Sequence, residues 1–143
     1  MLPNEIRDSS NEQINLLIAE KIVGMKHLIG EAVPELRRHK NPDLSIEQQD
    51  VWEYYDSRIN GGKGYYCKYC GNMPDWSCDV AVALDLLKGW CRNNKIEKFD
   101  LQWHSKDGTV IVMLDGIAIF SGPTEARAVC NCLLAAVILG GIR

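Results

Sequence analysis

The segment from Phe99 to Phe120 leaves this chain few folds to choose from. Phe99, Leu101 and Trp103 alternate with Asp100, Gln102 and His104, and a period of two is what a half-buried strand requires. Lys106-Asp107-Gly108 turns the chain into the apolar run Val110-Ile111-Val112-Met113-Leu114, and Asp115-Gly116 is a two-residue hairpin signal leading into residues 117–120. Gly122-Pro123-Thr124 then opens a helix in which Ala126, Val129, Cys130, Leu133, Leu134, Val137 and Ile138 recur at spacings of three and four. A bare three-stranded meander this apolar would aggregate, so helices must cover it. The central strand is apolar at every position, which predicts cover on both faces.

Two further helices are predicted upstream. Ile14, Leu17, Ile18, Ile22 and Met25 line one face of a helix that ends near Gly24. Pro74-Asp75-Trp76-Ser77-Cys78-Asp79 leads into Val80, Ala83, Leu84 and Leu87, with Asp75 or Ser77 placed to cap that helix, Asp79 in its first turn, and Gly89 and Asn93-Asn94 at its end. Between them, Pro34, Pro42, Gly61, Gly62 and Gly64 punctuate residues 30–74, with a short polar helix expected over residues 45–58. The expected fold is α+β: a three-layer α-β-α sandwich with a small antiparallel three-stranded meander sheet and an irregular insertion. One domain spans residues 1–143, with its core at 11–28 and 74–140 and the insertion at 29–73. A chain of 143 residues, 46% hydrophobic and 24% charged, suits one globular domain that buries about 70% of its unfolded surface.

The first eight residues have no apolar core of the signal-peptide kind, and Glu5 and Asp8 stand where basic residues would be needed. The expected location is the cytosol, where six cysteines are reduced thiols or metal ligands rather than three disulfides. Arg127 and Asn131 interrupt the apolar stretch 126–142, which reads as a buried helix and not a membrane span. The net charge of −3 argues against double-stranded nucleic acid as a partner, since phosphate neutralisation needs clustered excess Lys and Arg. The run Arg37-Arg38-His39-Lys40 reads as a solvated segment.

The order of elements, together with Leu16-Leu17-Ile18-Ala19-Glu20-Lys21-Ile22-Val23-Gly24-Met25, Pro74-Asp75-Trp76-Ser77-Cys78-Asp79 and its continuation to Leu84, and Gly122-Pro123-Thr124-Glu125-Ala126-Arg127-Ala128-Val129-Cys130, resembles the phage ABA sandwich family. The likeness covers residues 11–28 and about 74–138 and leaves the insertion outside it. It implies an α-β-α sandwich and a bacteriophage or prophage origin, and it brings no activity and no catalytic residues.

Two kinds of chemistry are candidates. Cys67-Lys68-Tyr69-Cys70-Gly71 resembles one zinc knuckle, in which two thiolates two residues apart chelate a tetrahedral ion and glycine permits the turn. The remaining ligands would come from Cys78, Cys91, His104 or a second subunit; Cys67, Cys70 and Cys78 are the candidate set, against free thiols as the plain alternative. Cys130 and Cys132 point about 200° apart on a helix and read as buried thiols. The other candidate is contact through aromatics: Trp52, Tyr54, Tyr55, Tyr65, Tyr66, Tyr69 and Trp76 lie in the insertion or its exit, near Arg58, Lys63 and Lys68. Such groups stack on a base or fill a partner's pocket, or else form a local mini-core.

No nucleophile elbow, phosphate loop or paired histidine supports an enzyme, and Gly61-Gly62-Lys63-Gly64 reads as a flexible linker. The expectation is therefore a non-enzymatic phage or prophage accessory protein. It would bind a host protein or a small nucleotide-like host molecule, including a nucleotide immune signal, through Arg58, Tyr65, Tyr66, Tyr69 and Trp76. The alternative is a structural zinc module that mediates self-association, with a homodimer covering any open sheet face.

Overall fold

The computed structural model describes residues 3–28, 51–55, 61–67 and 73–138. The chain divides into two compact units, one formed by residues 1–22 with 74–143 and the other by residues 23–73. Among the described residues there are four α-helices and two three-stranded antiparallel sheets, one sheet in each unit, a mixed α+β fold. No described helix is long and apolar enough to cross a membrane.

The first unit holds α1 (Pro3–Asp8), α2 (Asn11–Leu17), α3 (Val80–Asn93), β4 (Phe99–His104), β5 (Thr109–Leu114), β6 (Ile117–Gly122) and α4 (Glu125–Ile138). The meander runs in the order β4-β5-β6, with Phe99 opposite Leu114 and Trp103 opposite Val110. Asp115 and Gly116 both adopt positive φ, 50° and 80°, the backbone that matches a hairpin turn to the strands' right-handed twist. Asp115 also holds the approach to β4, its Oδ1 accepting from the amides of Glu97 and Lys98 at 3.0 and 2.9 Å.

Val110, Val112 and Leu114 are buried on one face of β5, while Ile111 and Met113 on the other are half-buried. The buried face packs on α4, which meets β5 and β6 on one side and α1, α2 and α3 on the other. All positions of α4 from Ala126 to Ala136 are buried. Gly122 makes the approach of β6 to this helix close: a Cβ there would stand 2.7 Å from the Ala128 amide nitrogen.

Caps account for the helix boundaries. Ser10 and Gln13 form a capping box on α2. The helix continues as a π-helical segment, Ile18–Val23, and stops before Gly24 at φ 78°. The cap of α3 is Asp79, whose Oδ1 accepts from the Ala81 and Val82 amides at 3.1 and 3.4 Å, not Asp75 or Ser77 as the sequence suggested. Those two are drawn off by α2: Asp75 Oδ1 accepts from Asn15 Nδ2 at 2.8 Å and Ser77 Oγ donates to the Asn11 carbonyl at 3.2 Å. Gly89 is passed without a break and Asn94 closes α3. Thr124 Oγ1 accepts from the Arg127 amide at 3.1 Å and caps α4.

Arg127 is 6% exposed, and its hydrogen-bond partners among the described residues are neutral oxygens. Its Nη2 donates to the carbonyls of Ile6 and Ser9 at 3.0 and 2.6 Å, its Nη1 to Asn11 Oδ1 at 2.7 Å, and its Nε to Asn131 Oδ1 at 2.9 Å. The guanidinium therefore caps the C-terminal end of α1, where the carbonyls lack intrahelical partners and the helix dipole favours a cation.

The second unit contains β1 (Lys26–Leu28), β2 (Val51–Tyr55) and β3 (Lys63–Cys67), in the order β1-β2-β3. The segment expected to be irregular thus carries a sheet, and the helix expected over 45–58 is a strand at residues 51–55. Val-Trp-Glu-Tyr-Tyr is rich in the β-branched and aromatic residues that pack on a pleated surface, which overrides its polar helical spacing. The run of three glycines is not a linker: Gly61 and Gly62 turn the chain at φ 88° and 76°, and Gly64 lies within β3. The Arg37-Arg38-His39-Lys40 run lies outside the described residues.

Candidate functional site

Strand register sorts the aromatic residues of the second unit into two sets. Trp52 stands opposite His27 and Tyr66, and Tyr54 opposite Gly64, on one face. Glu53 stands opposite Lys26 and Tyr65, and Tyr55 opposite Lys63, on the other.

The first face is occupied by stacked rings around the buried Trp52, with Tyr54 and Tyr66 half-buried and His27 exposed. The His27 and Trp52 rings are stacked with centroids 4.3 Å apart and planes 4° from parallel, and Tyr54 and Tyr66 are stacked at 4.5 Å and 20°. Trp52 is buried, and among the described residues its indole Nε1 has no hydrogen-bond partner. Tyr54 lies across Gly64, where a Cβ would collide with the ring. An aromatic ring laid over a strand glycine compensates for the missing side chain.

The second face is buried at one end, where Leu28 and Val51 stand opposite each other at 6% and 2% exposed, and open at the other, around Tyr55 and Lys63. Tyr55 is 80% exposed, and its ring rests against Gly62, where a Cβ would stand 2.8 Å from Tyr55 Cε2. One side of the ring is thus seated on backbone while solvent reaches the rest. Lys63 across the strand pair has its Nζ 3.9 Å from Glu53 Oε1, beyond hydrogen-bonding distance. Tyr65 completes the row beside Glu53, half-buried. A seated aromatic ring, a cation and a carboxylate on one rigid sheet can stack a flat ring and pair with an anionic group.

Of the residues singled out from the sequence, Tyr65 falls on the open face and Tyr66 on the packed one. Trp76 is 4% exposed in the first unit and is core; a bulky ring that fills the core presents nothing to a ligand. Arg58, Tyr69 and Cys70 lie outside the described residues. Cys67 ends β3 in the second unit. Cys78 is an exposed free thiol in the first unit, its Sγ accepting from Asn11 Nδ2 at 3.4 Å. Among the described residues no three His, Cys, Asp or Glu side chains converge on a metal position.

Tyr55 stands in the aromatic set read from the sequence without being singled out within it, and Glu53 is missed, because the stretch around them reads as helix. The alternation in Val51-Trp52-Glu53-Tyr54-Tyr55 was the available signal, since a strand there puts Tyr55 and Tyr54 on opposite faces.

The remaining cysteines are buried. Cys130 and Cys132 are 0% exposed, and burial pushes both thiols up to about 12. For Cys91 burial, and then the Asp115 carboxylate, raises the thiol from its ordinary 9.0. None is a nucleophile at neutral pH. A cleft of about 440 Å³ in the first unit is lined by Pro3, Asn4, Arg7, Phe120 and Ser121; Arg7 there is engaged with Asp8 at 3.6 Å.

No protein-family model, curated protein or solved structure matches this chain.

Proposed function

We propose that this chain is a non-enzymatic accessory protein that binds a small nucleotide-like host molecule on the open face of its second unit. The single observation that carries this reading is Tyr55: an aromatic ring seated on Gly62, 80% exposed, with Lys63 opposite it in the sheet. Burying such an exposed ring under a flat ligand gains stacking energy. Residues 23–73 contain seven Lys or Arg and seven Asp or Glu, a neutral balance that suits one ring with few charges better than a phosphate polymer. The helix segments that resemble phage ABA sandwich proteins support a phage or prophage origin and work in the cytosol of a bacterial host, where holding a nucleotide signal would be a function without catalysis.

The test is titration of the purified protein with AMP, GMP, CMP and UMP, read by tyrosine fluorescence and native mass spectrometry. Tyr55→Ala is expected to weaken binding about tenfold to a hundredfold and to leave the melting temperature in place, since the ring is exposed. Absence of binding by all four, or equal binding by Tyr55→Ala, refutes the proposal.

A further inference from the structure

The open face also carries a group that discriminates between bases. Glu53 sits two residues before Tyr55 on β2, so the two side chains share a face about 7 Å apart, which is within the span of a purine. A base stacked on Tyr55 therefore brings its edge to the Glu53 carboxylate. That carboxylate is only partly exposed, 22% by side chain, and its ion pair with Lys63 Nζ at 3.9 Å is too long to be a hydrogen bond, so its oxygens can still accept one from a ligand. An ionised carboxylate has acceptors and no donor. Opposite it, a base edge offering only lone pairs is repelled, whereas an amino group is bound through a charge-assisted hydrogen bond. Lys63, two-thirds exposed by side chain at 63%, is left to meet phosphate.

Resting on the nucleotide-binding reading above, we infer that Glu53 is the specificity-determining residue of this face and that its ligand is a phosphorylated nucleoside whose base bears an amino group. Selectivity of this kind comes from leaving the carboxylate unpaired with the wrong ligand as much as from pairing it with the right one.

The experiment compares AMP with purine riboside 5′-monophosphate, which lacks only the amino group. The wild-type protein is expected to bind AMP about tenfold or more tightly. In Glu53→Met, which keeps the side-chain length and removes the acceptor, AMP should fall to the level of the purine analogue while the analogue is unaffected. Equal binding of the two ligands by the wild type overturns the inference, and so does a preference that survives in Glu53→Met. Because the wild-type comparison stands alone, a variant that failed to fold would not rescue the idea. If nucleotides bind in a Tyr55-dependent way but without the amino preference, only the role of Glu53 falls; if neither ligand binds at all, the nucleotide reading falls with it.

Discussion

Replacing Arg127 with methionine isolates the contribution of one buried cation to the docking of α1. The side chain is 6% exposed and its guanidinium reaches the carbonyls of Ile6 and Ser9, together with Asn11 Oδ1 and Asn131 Oδ1. Methionine keeps the volume along α4 and removes every donor. Ser9 and Asn11 lie near solvent and can turn to water, but Ile6 is fully buried and Asn131 is 1% exposed. Each buried acceptor left unpaired costs about 1–3 kcal/mol. Against this stands the relief of no longer holding a charge out of water; burial already pushes the Arg127 guanidinium below its ordinary range. The net expectation is a loss of about 3 kcal/mol, a fall in melting temperature of roughly 12–24 °C for a unit of this size. Thermal unfolding by circular dichroism reads the total, and hydrogen exchange at residues 3–8 reads whether α1 has come loose. Arg127→Lys should recover only part of the loss, since one ammonium cannot span acceptors that the planar fork reaches together. A methionine variant that melts within about 2 °C of the wild type, with exchange at α1 unchanged, would refute the reasoning.

The thiols give a second measurement. Cys78 is exposed and should react with a disulfide reagent in the native protein, whereas Cys130 and Cys132 should react only on unfolding. Because burial raises those two from 9.0 to about 12, the folded chain keeps protons there that the unfolded chain gives up. Their contribution to stability is complete below pH 9 and is lost as pH rises towards 12, so the urea midpoint should fall above pH 9. Gly122→Ala should destabilise the first unit by about 1–3 kcal/mol, because the new Cβ meets backbone atoms of Ala128 at 2.7 and 2.9 Å that cannot swing aside; an unchanged denaturation midpoint would show that β6 and α4 separate at little cost.

The legible parts of the sequence were those written locally. The alternation of Phe99 to His104, the Asp115-Gly116 turn and the Thr124 cap each specify their element within a few residues, and β4, β5, β6 and α4 follow. What depended on distant partners was hidden. α1 is six residues long, too short to persist without tertiary support, and is held by a residue more than a hundred positions away. Asp75 and Ser77 looked like caps because the residues of α2 that engage them lie 60 and 66 positions away. In the second unit, β1 pairs with a strand that begins at Val51, and nothing near Lys26 announces it. The candidate site shares that weakness: composition names Tyr55 and Tyr65 in one aromatic set, but only the register puts them on one face with Glu53. Trp76 shows the opposite error, an aromatic residue in an aromatic-rich stretch that the fold uses as filling.

The enclosure of α4 on every side has a consequence for how this sequence can drift. Most helices keep a wet face on which substitutions are nearly free. From Ala126 to Ala136 this one has none, so its tolerance to mutation should show no three-and-four rhythm. Change there must come as volume-conserving exchanges, often coupled to a neighbour. Two lineages that keep the fold would differ over α3 and the strand edges long before they differ here.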